Sequence, residues 1–307
     1  MTKNAIFIKD LVKEYSHSKA VTVKPAIDEL NLAVPEGAIF GLLGPNGAGK
    51  STLINILAGT VVKTSGEVFI DGVSIQEQPK KTSSLIGIVP QDISYDTFFP
   101  LYQALEFYAG YYGVRPEKRK TEEILKKLSL WDKKDKFPQQ LSGGMKRRFL
   151  IAKAMVHSPK VLILDEPTAG VDLELRLQLW EYVRELNQQG ITIIITTHYL
   201  AEAEELCNEI AFINKGKIIN QSSKTELLKQ FGTSYLDVEF YQPIKINDNI
   251  SSLMEVISSN KARFKVDIQN ANYSQILAEI ATIGLSIKHL SVSEPDLEEI
   301  FHTMMQK

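Results

Sequence analysis

Several short stretches of this chain hold residue types suited to handling a phosphorylated substrate. The first is GPNGAGKST, running from Gly44 to Thr52. It fits G-x-x-x-x-G-K-[ST], with Gly44, Gly49, Lys50 and Ser51 at the fixed positions and Pro45, Asn46, Gly47 and Ala48 between them. Glycines let the backbone turn its N–H groups toward a β-phosphate, and a helix starting at the end of the loop adds partial positive charge. Lys50 then reaches the β- and γ-phosphates, and the Ser51 hydroxyl can hold Mg²⁺. By itself the stretch could be only a glycine-rich turn. Its setting argues otherwise: AIFGLL reads as a strand before it, and Leu53, Ile56 and Leu57 recur at helical spacing after it.

VLILDEPT, Val161 to Thr168, is an apolar run ending in two carboxylates. Asp165 at the strand end suits Mg²⁺ through its water shell, while Glu166 points elsewhere and suits polarising a water as general base. Taken alone, these acids also fit a solvent-exposed turn. His198 closes the run ITIIITT, and Gln91 follows LIGIVP. A histidine at a strand end is more often structural. Open α/β sheets, however, gather ligands at the carboxyl ends of their strands. On that reading Lys50, Gln91, Glu166 and His198 converge on one edge. A second small glycine turn, LSGGMKRR, places Ser142, Gly143 and Gly144 before a basic helical stretch. It has the character of another anion cradle.

The elements that must position these residues are legible in the pattern. KVLILDE and ITIIITTH are near-continuous apolar runs, as central parallel strands covered on both faces are. AIFIKDLVKEY and IDELNLAVPEG alternate like half-buried strands. LELRLQLWEYVRELNQQG predicts a helix stopped by Gly190. From Leu101 to Leu130 the chain is aromatic and then charged, consistent with a helical insert. Near Phe231 to Ser234 the pattern restarts. Leu236, Val238, Phe240 and then Phe264, Val266, Ile268 share one face, and amphipathic helices follow. The boundaries read as an ATPase-like domain over 1–231, with a helical subdomain at about 95–150, and an α+β accessory domain over 232–307.

Bulk properties exclude several classes. Among 307 residues the net charge is -2, which gives no general pull toward nucleic acid. The single cysteine, Cys207, excludes an intrachain disulfide. No apolar run approaches the roughly 18–20 residues needed to span a bilayer, and MTKNAIFIKD lacks a signal-peptide core. The expectation is a cytoplasmic protein that reaches a membrane only by docking.

In order and wording, GPNGAGKST, Gln91, LSGGMKRR, VLILDE, AGVD (Ala169 to Asp172) and TTH (Thr196 to His198) resemble an ABC-transporter ATP-binding subunit. The resemblance covers about residues 5 to 230. It implies a P-loop NTPase core of RecA-like α/β type, with an N-terminal antiparallel β subdomain and a helical insert. It implies ATP and Mg²⁺ as ligands. Tyr15 would stack on adenine, and Gly44 to Thr52 would wrap the phosphates. Gln91 would sense the γ-phosphate and metal; Ser51, Gln91 and Asp165 would serve Mg²⁺. Glu166 would activate water, with Lys50 and His198 on the γ-phosphate. Ser142, Gly143, Gly144 and Asp172 would meet the ATP of a second copy in a head-to-tail dimer.

Within the family, LDEPTAGVD, GMKRR and the closing EPDLEEIFHTMM resemble exporters of the ABC-2 type, which work with a separate membrane permease. A narrower likeness to YadG-type subunits says little about cargo. In the family the aromatic insert contacts that permease, so Phe98, Phe99, Leu101, Tyr102 and Tyr108 are candidates for a groove. Met145 stands where glutamine is usual, and SHSKAVTVKP after Tyr15 is longer than the usual turn. An alternative is a soluble ABC ATPase of translation or DNA repair. The single ATPase half and the lack of a long heptad run weigh against it. A non-enzymatic sensor would lack Glu166 or His198.

Overall fold

A computed structural model describes residues 3–15, 24–92, 98–232, 234–244, 254–266, 273–293 and 296–305. The segment SHSKAVTVKP lies outside them except for its last two residues, as do Ile268 and the opening Glu294 of the tail motif. The chain forms two compact units, 1–222 and 223–307.

In the first unit, β1 (Asn4–Lys13) pairs antiparallel with β2 (Ile27–Pro35). β3 (Ile39–Leu43) is buried throughout and runs into the glycine loop and α1 (Lys50–Leu57). β4 (Ser65–Ile70) and β5 (Val73–Ser74) form a hairpin that completes a four-stranded sheet of order β2-β1-β4-β5. Then come α2 (Pro79–Leu85) and β6 (Ile86–Val89). The insert holds α3 (Leu101–Tyr111), α4 (Thr121–Lys127) and α5 (Gly143–Met155). β7 (Val161–Asp165), α6 (Leu173–Gln188), β8 (Thr192–Thr197), α7 (Leu200–Leu206), β9 (Glu209–Asn214) and β10 (Lys217–Ser223) follow.

The second sheet has order β10-β9-β3-β8-β7-β6, and its neighbours β9-β3, β3-β8, β8-β7 and β7-β6 are parallel. One apolar core links the two sheets through α1. Ile6, Ile8 and Leu30 from the first sheet join Leu53 and Ile56 of α1, and Phe40, Ile163 and Ile194 of the second. Burying each such side chain is worth about 1.5–3 kcal/mol, so α1 and the loop before it are held firmly. Register does the rest. Leu43 lies beside Thr197, Asp165 beside Thr196, and Val89 beside Leu164. The carboxyl ends of β3, β8, β7 and β6 therefore open on one edge.

The second unit begins with α8 (Lys224–Phe231) and contains β11 (Ser234–Phe240), β12 (Met254–Ser258), β13 (Lys261–Val266), α9 (Tyr273–Ile283), β14 (Ile287–Ser293) and α10 (Leu297–Met305). Its antiparallel sheet has order β12-β13-β11-β14. Leu236, Val238, Phe240, Phe264 and Val266 pack with Ile276 and Ile280 of α9. The structure divides the chain before α8, ahead of the boundary that the return of alternation suggests.

Candidate functional site

The glycine loop needs its glycines for different reasons. A Cβ on Gly44 would lie 2.2 Å from the Ile213 carbonyl oxygen. Gly49, at φ +113, has no room either, since a Cβ would come within 2.8 Å of the Ala26 oxygen. Gly44→Ala should therefore lower stability by about 1–3 kcal/mol, read as a fall in the urea midpoint. An unchanged midpoint would mean that β9 yields without loss.

The loop walls a cavity of about 160 Å³ with Asn46, Gly47, Gly49, Lys50, Ser51, Thr52, Gln91, Asp165 and Glu166 on its lining. Lys50 is 7% exposed and its ammonium donates to the Gly44 oxygen at 2.6 Å and the Pro45 oxygen at 3.1 Å. Burial pushes its pKa down, while the charges of Glu166 and Asp165 pull it back up.

Glu166 is the hub. It is 8% exposed, and its two oxygens face different partners. Gln91 Nε2 donates to Oε2 at 2.8 Å, and His198 Nδ1 lies 3.1 Å from Oε1. The backbone is unusual there: φ is +47, the left-handed region that a glutamate rarely adopts unless held. Its N–H donates to the Thr196 oxygen at 2.9 Å. Asp165 accepts from the Thr196 hydroxyl. Burial pushes the Asp165 carboxyl up, against the Thr196 hydrogen bond and the charges of Lys50 and Arg147; Glu166 adds to the rise. Among the described residues no group of three or more His, Cys, Asp and Glu is arranged to hold a metal. The oxygen donors Ser51, Gln91 and Asp165 lining the cavity are the hard set that Mg²⁺ prefers.

The structure thus brings Lys50, Ser51, Gln91, Asp165, Glu166 and, through Glu166, His198 together. Other predicted residues stand apart from that cavity. Ser142 caps α5, accepting from the Met145 N–H at 3.4 Å, and Asp172 caps α6, accepting from Leu175 N–H at 2.9 Å. Both are exposed. Gly144 packs so closely on Leu175 that a Cβ would fall 1.6 Å from its Cδ2. Tyr15 is half-exposed under the Lys13 ammonium, 4.7 Å from the ring centre, and does not line the cavity.

A separate cavity of about 340 Å³ lies beside the insert, lined by Tyr108, Tyr111, Tyr112, Leu150, Lys153, His157 and Pro90, the residue before Gln91. Phe98 is largely exposed, Tyr102 half-exposed, and Phe99 stacks on Phe107. Leu101 is wholly buried, so it serves the core and not a groove. Sequence reasoning assigned nothing to Arg147 and Glu202, both buried near the hub, and gave Thr196 no role beyond its place in TTH. An arginine three residues past the glycine turn, one helical turn from the Ser142 cap, was the available signal for Arg147.

The ABC transporter family model matches residues 27–169. Beyond that span, the linearmycin resistance ATP-binding protein of Bacillus subtilis (strain 168) is 34% identical over 92% of this chain and 94% of its own length. The chain belongs to the ABC transporter family. The daunorubicin resistance ATP-binding protein of Streptomyces coeruleorubidus is 31% identical over 94% of this chain and 93% of that protein. A Nod factor export ATP-binding protein of Paraburkholderia xenovorans (strain LB400) is 34% identical over 77% of this chain and 79% of that protein. Among solved structures, an ATP-binding subunit of an ABC transporter superposes with TM-score 0.66 at 26% identity, covering 74% of this chain and 93% of that one. A dimeric ATP-binding cassette in a post-hydrolysis state with ADP and Pi gives TM-score 0.64 at 26% identity, covering 71% of this chain and 98% of that one.

The fold is that of an ABC ATPase cassette, and the chain is an ATP-binding, ATP-hydrolysing subunit of this family. The exporter reading stands over the translation and DNA-repair alternative, because relatives named for export or resistance match along most of both chains.

Proposed function

We propose that this chain powers an ABC-2 type exporter as one of two head-to-tail copies, peripheral on the cytoplasmic face of the cell membrane beneath a separate permease. The observation that carries the catalytic part is Glu166 held between Gln91 and His198 at the rim of the glycine-loop cavity. ATP occupies that cavity with its phosphates on Gly44 to Thr52 and Lys50. Ser51, Asp165 and Gln91 would hold Mg²⁺, which when bound would supply charge neutralisation on the phosphates. Glu166 accepts a proton from the attacking water, and His198 steadies the γ-phosphate. Ser142, Gly143, Gly144 and Asp172 face the nucleotide of the other copy. Tyr15 takes the adenine face.

Two features support the membrane half of this reading. Among the described residues no helix is long and apolar enough to cross a bilayer, which fits a bilayer path supplied by a separate permease. The aromatic cavity shares the Pro90–Gln91 turn with the ATP site, so a partner lodged there feels the γ-phosphate sensor directly. The test is co-expression with the membrane protein of the neighbouring reading frame and purification in detergent. A complex of two copies with that permease, hydrolysing ATP in Mg²⁺ and not in EDTA, is expected. Turnover that is indifferent to EDTA would remove the metal from the scheme. A chain that never co-purifies with such a protein would remove the permease.

A further inference from the structure

Arg147 lies one turn into α5 and is 4% exposed. A guanidinium carries five N–H donors in a fixed planar fork, and here each has a backbone carbonyl. Nε donates to Pro167 O at 3.0 Å. One terminal nitrogen donates to Pro90 O at 2.6 Å and Gln91 O at 3.0 Å. The other donates to Asp165 O and Glu166 O, both at 2.6 Å. Among the described residues no carboxylate oxygen shares this fork; the acceptors are the last residue of β7 and the turns that directly follow β6 and β7.

Those carbonyls belong to the peptide units that bear Gln91, Asp165 and Glu166. Glu166 sits at φ +47, and Arg147 fixes its carbonyl while Thr196 fixes its N–H. Both peptides flanking a strained residue are therefore pinned. The clamp starts from the helix that Ser142 caps.

We propose that Arg147 is a positioning residue for ATP hydrolysis, locking the Gln91 turn and the Glu166 backbone to the signature helix so that all three move as one piece. The proposal rests on the reading of Glu166 as general base and of Gln91 as γ-phosphate sensor. It adds a short route inside one chain, one helical turn of α5 and then a hydrogen bond, between the turn that meets the partner's nucleotide and the chain's own base. Burial presses the guanidinium pKa down, and the charges of Asp165, Glu202 and Glu166 hold it up, so the fork keeps its charge. Lysine would keep a charge there but has neither the plane nor the number of donors to reach both strand ends.

The test is Arg147→Lys, with Arg147→Ala as a second variant, each assayed for kcat, ATP affinity, melting temperature and amide exchange. Arg147→Lys is expected to fold and to bind ATP near the wild-type level. Its kcat should fall on the order of 10²-fold, since a misplacement near 1 Å at reacting groups has that effect. Amides around Gln91 and around Glu166 should exchange faster together. In Arg147→Ala, added guanidinium should restore part of kcat, which a purely structural loss would not show. Wild-type kcat in Arg147→Lys overturns the proposal. So does an equal loss of ATP affinity, or a lysine variant that does not fold, because either makes the residue scaffold only. Glu166→Gln in parallel separates the two levels. If it retains turnover, the base assignment itself fails; if it is dead while Arg147→Lys is normal, only the clamp fails.

Discussion

Glu166→Gln leaves ATP binding close to wild type and cuts turnover by roughly 10²-fold or more. Glutamine fills the same volume and retains one oxygen, so the site keeps its shape. It cannot take a proton from water. The Glu166 carboxylate bonds Gln91 and His198, while Lys50 is held by the Gly44 and Pro45 oxygens, so the glycine loop and its lysine, which grip most of the nucleotide, stay in place. An amide can accept from one of these neighbours and must turn its NH₂ toward the other, which costs orientation but little affinity. With binding intact and hydrolysis stopped, the two copies should accumulate closed around ATP. Light scattering with ATP and Mg²⁺ should then report a dimer that persists far longer than that of the wild type. A variant with near-normal ATPase activity would sink the general-base assignment.

How much of this was legible in the sequence depends on the kind of interaction. The glycine loop and the two strand-end carboxylates are local: letter, spacing and flanking period lie within one strand–turn–helix. Convergence of Gln91 and His198 was legible one step further out, because parallel strands put their carboxyl ends on one edge. Register then made the neighbours: Asp165 beside Thr196 and Val89 beside Leu164. What the sequence did not reveal is side chain to backbone across elements. Arg147 reads as one basic residue in KRR, a pattern that usually marks a solvated face. Only packing of α5 against β6 and β7 turns it inward onto five carbonyls. Glu202 is similar: on a seven-residue helix it looks solvent-facing, yet it is buried and accepts from Trp180 Nε1 at 3.2 Å. Leu101 errs the other way, since an aromatic neighbourhood suggested a surface where the helix turns that side chain into the core.

Ser142→Arg should abolish turnover by the dimer, on the order of 10²-fold, with the isolated chain's ATP affinity nearly unchanged. Ser142 is exposed and absent from the lining of the glycine-loop cavity, so a bulky cation there touches nothing that the chain's own nucleotide uses. Losing its hydroxyl removes one helix cap on α5, worth about 1 kcal/mol, too little to unfold a domain of this size. Met145 is no remedy, because its contribution to the turn is its backbone N–H. A mixing experiment decides whether the turn acts on its own chain or on its partner's. Lys50→Ala damages the glycine loop and leaves the turn whole; Ser142→Arg does the reverse. If the turn serves the partner, a mixed pair rebuilds one complete site from the first chain's turn and the second chain's loop. Two inactive preparations should then recover part of the wild-type turnover when combined. If the turn serves its own chain, each chain is broken wherever it goes, and the mixture stays as inactive as its parts.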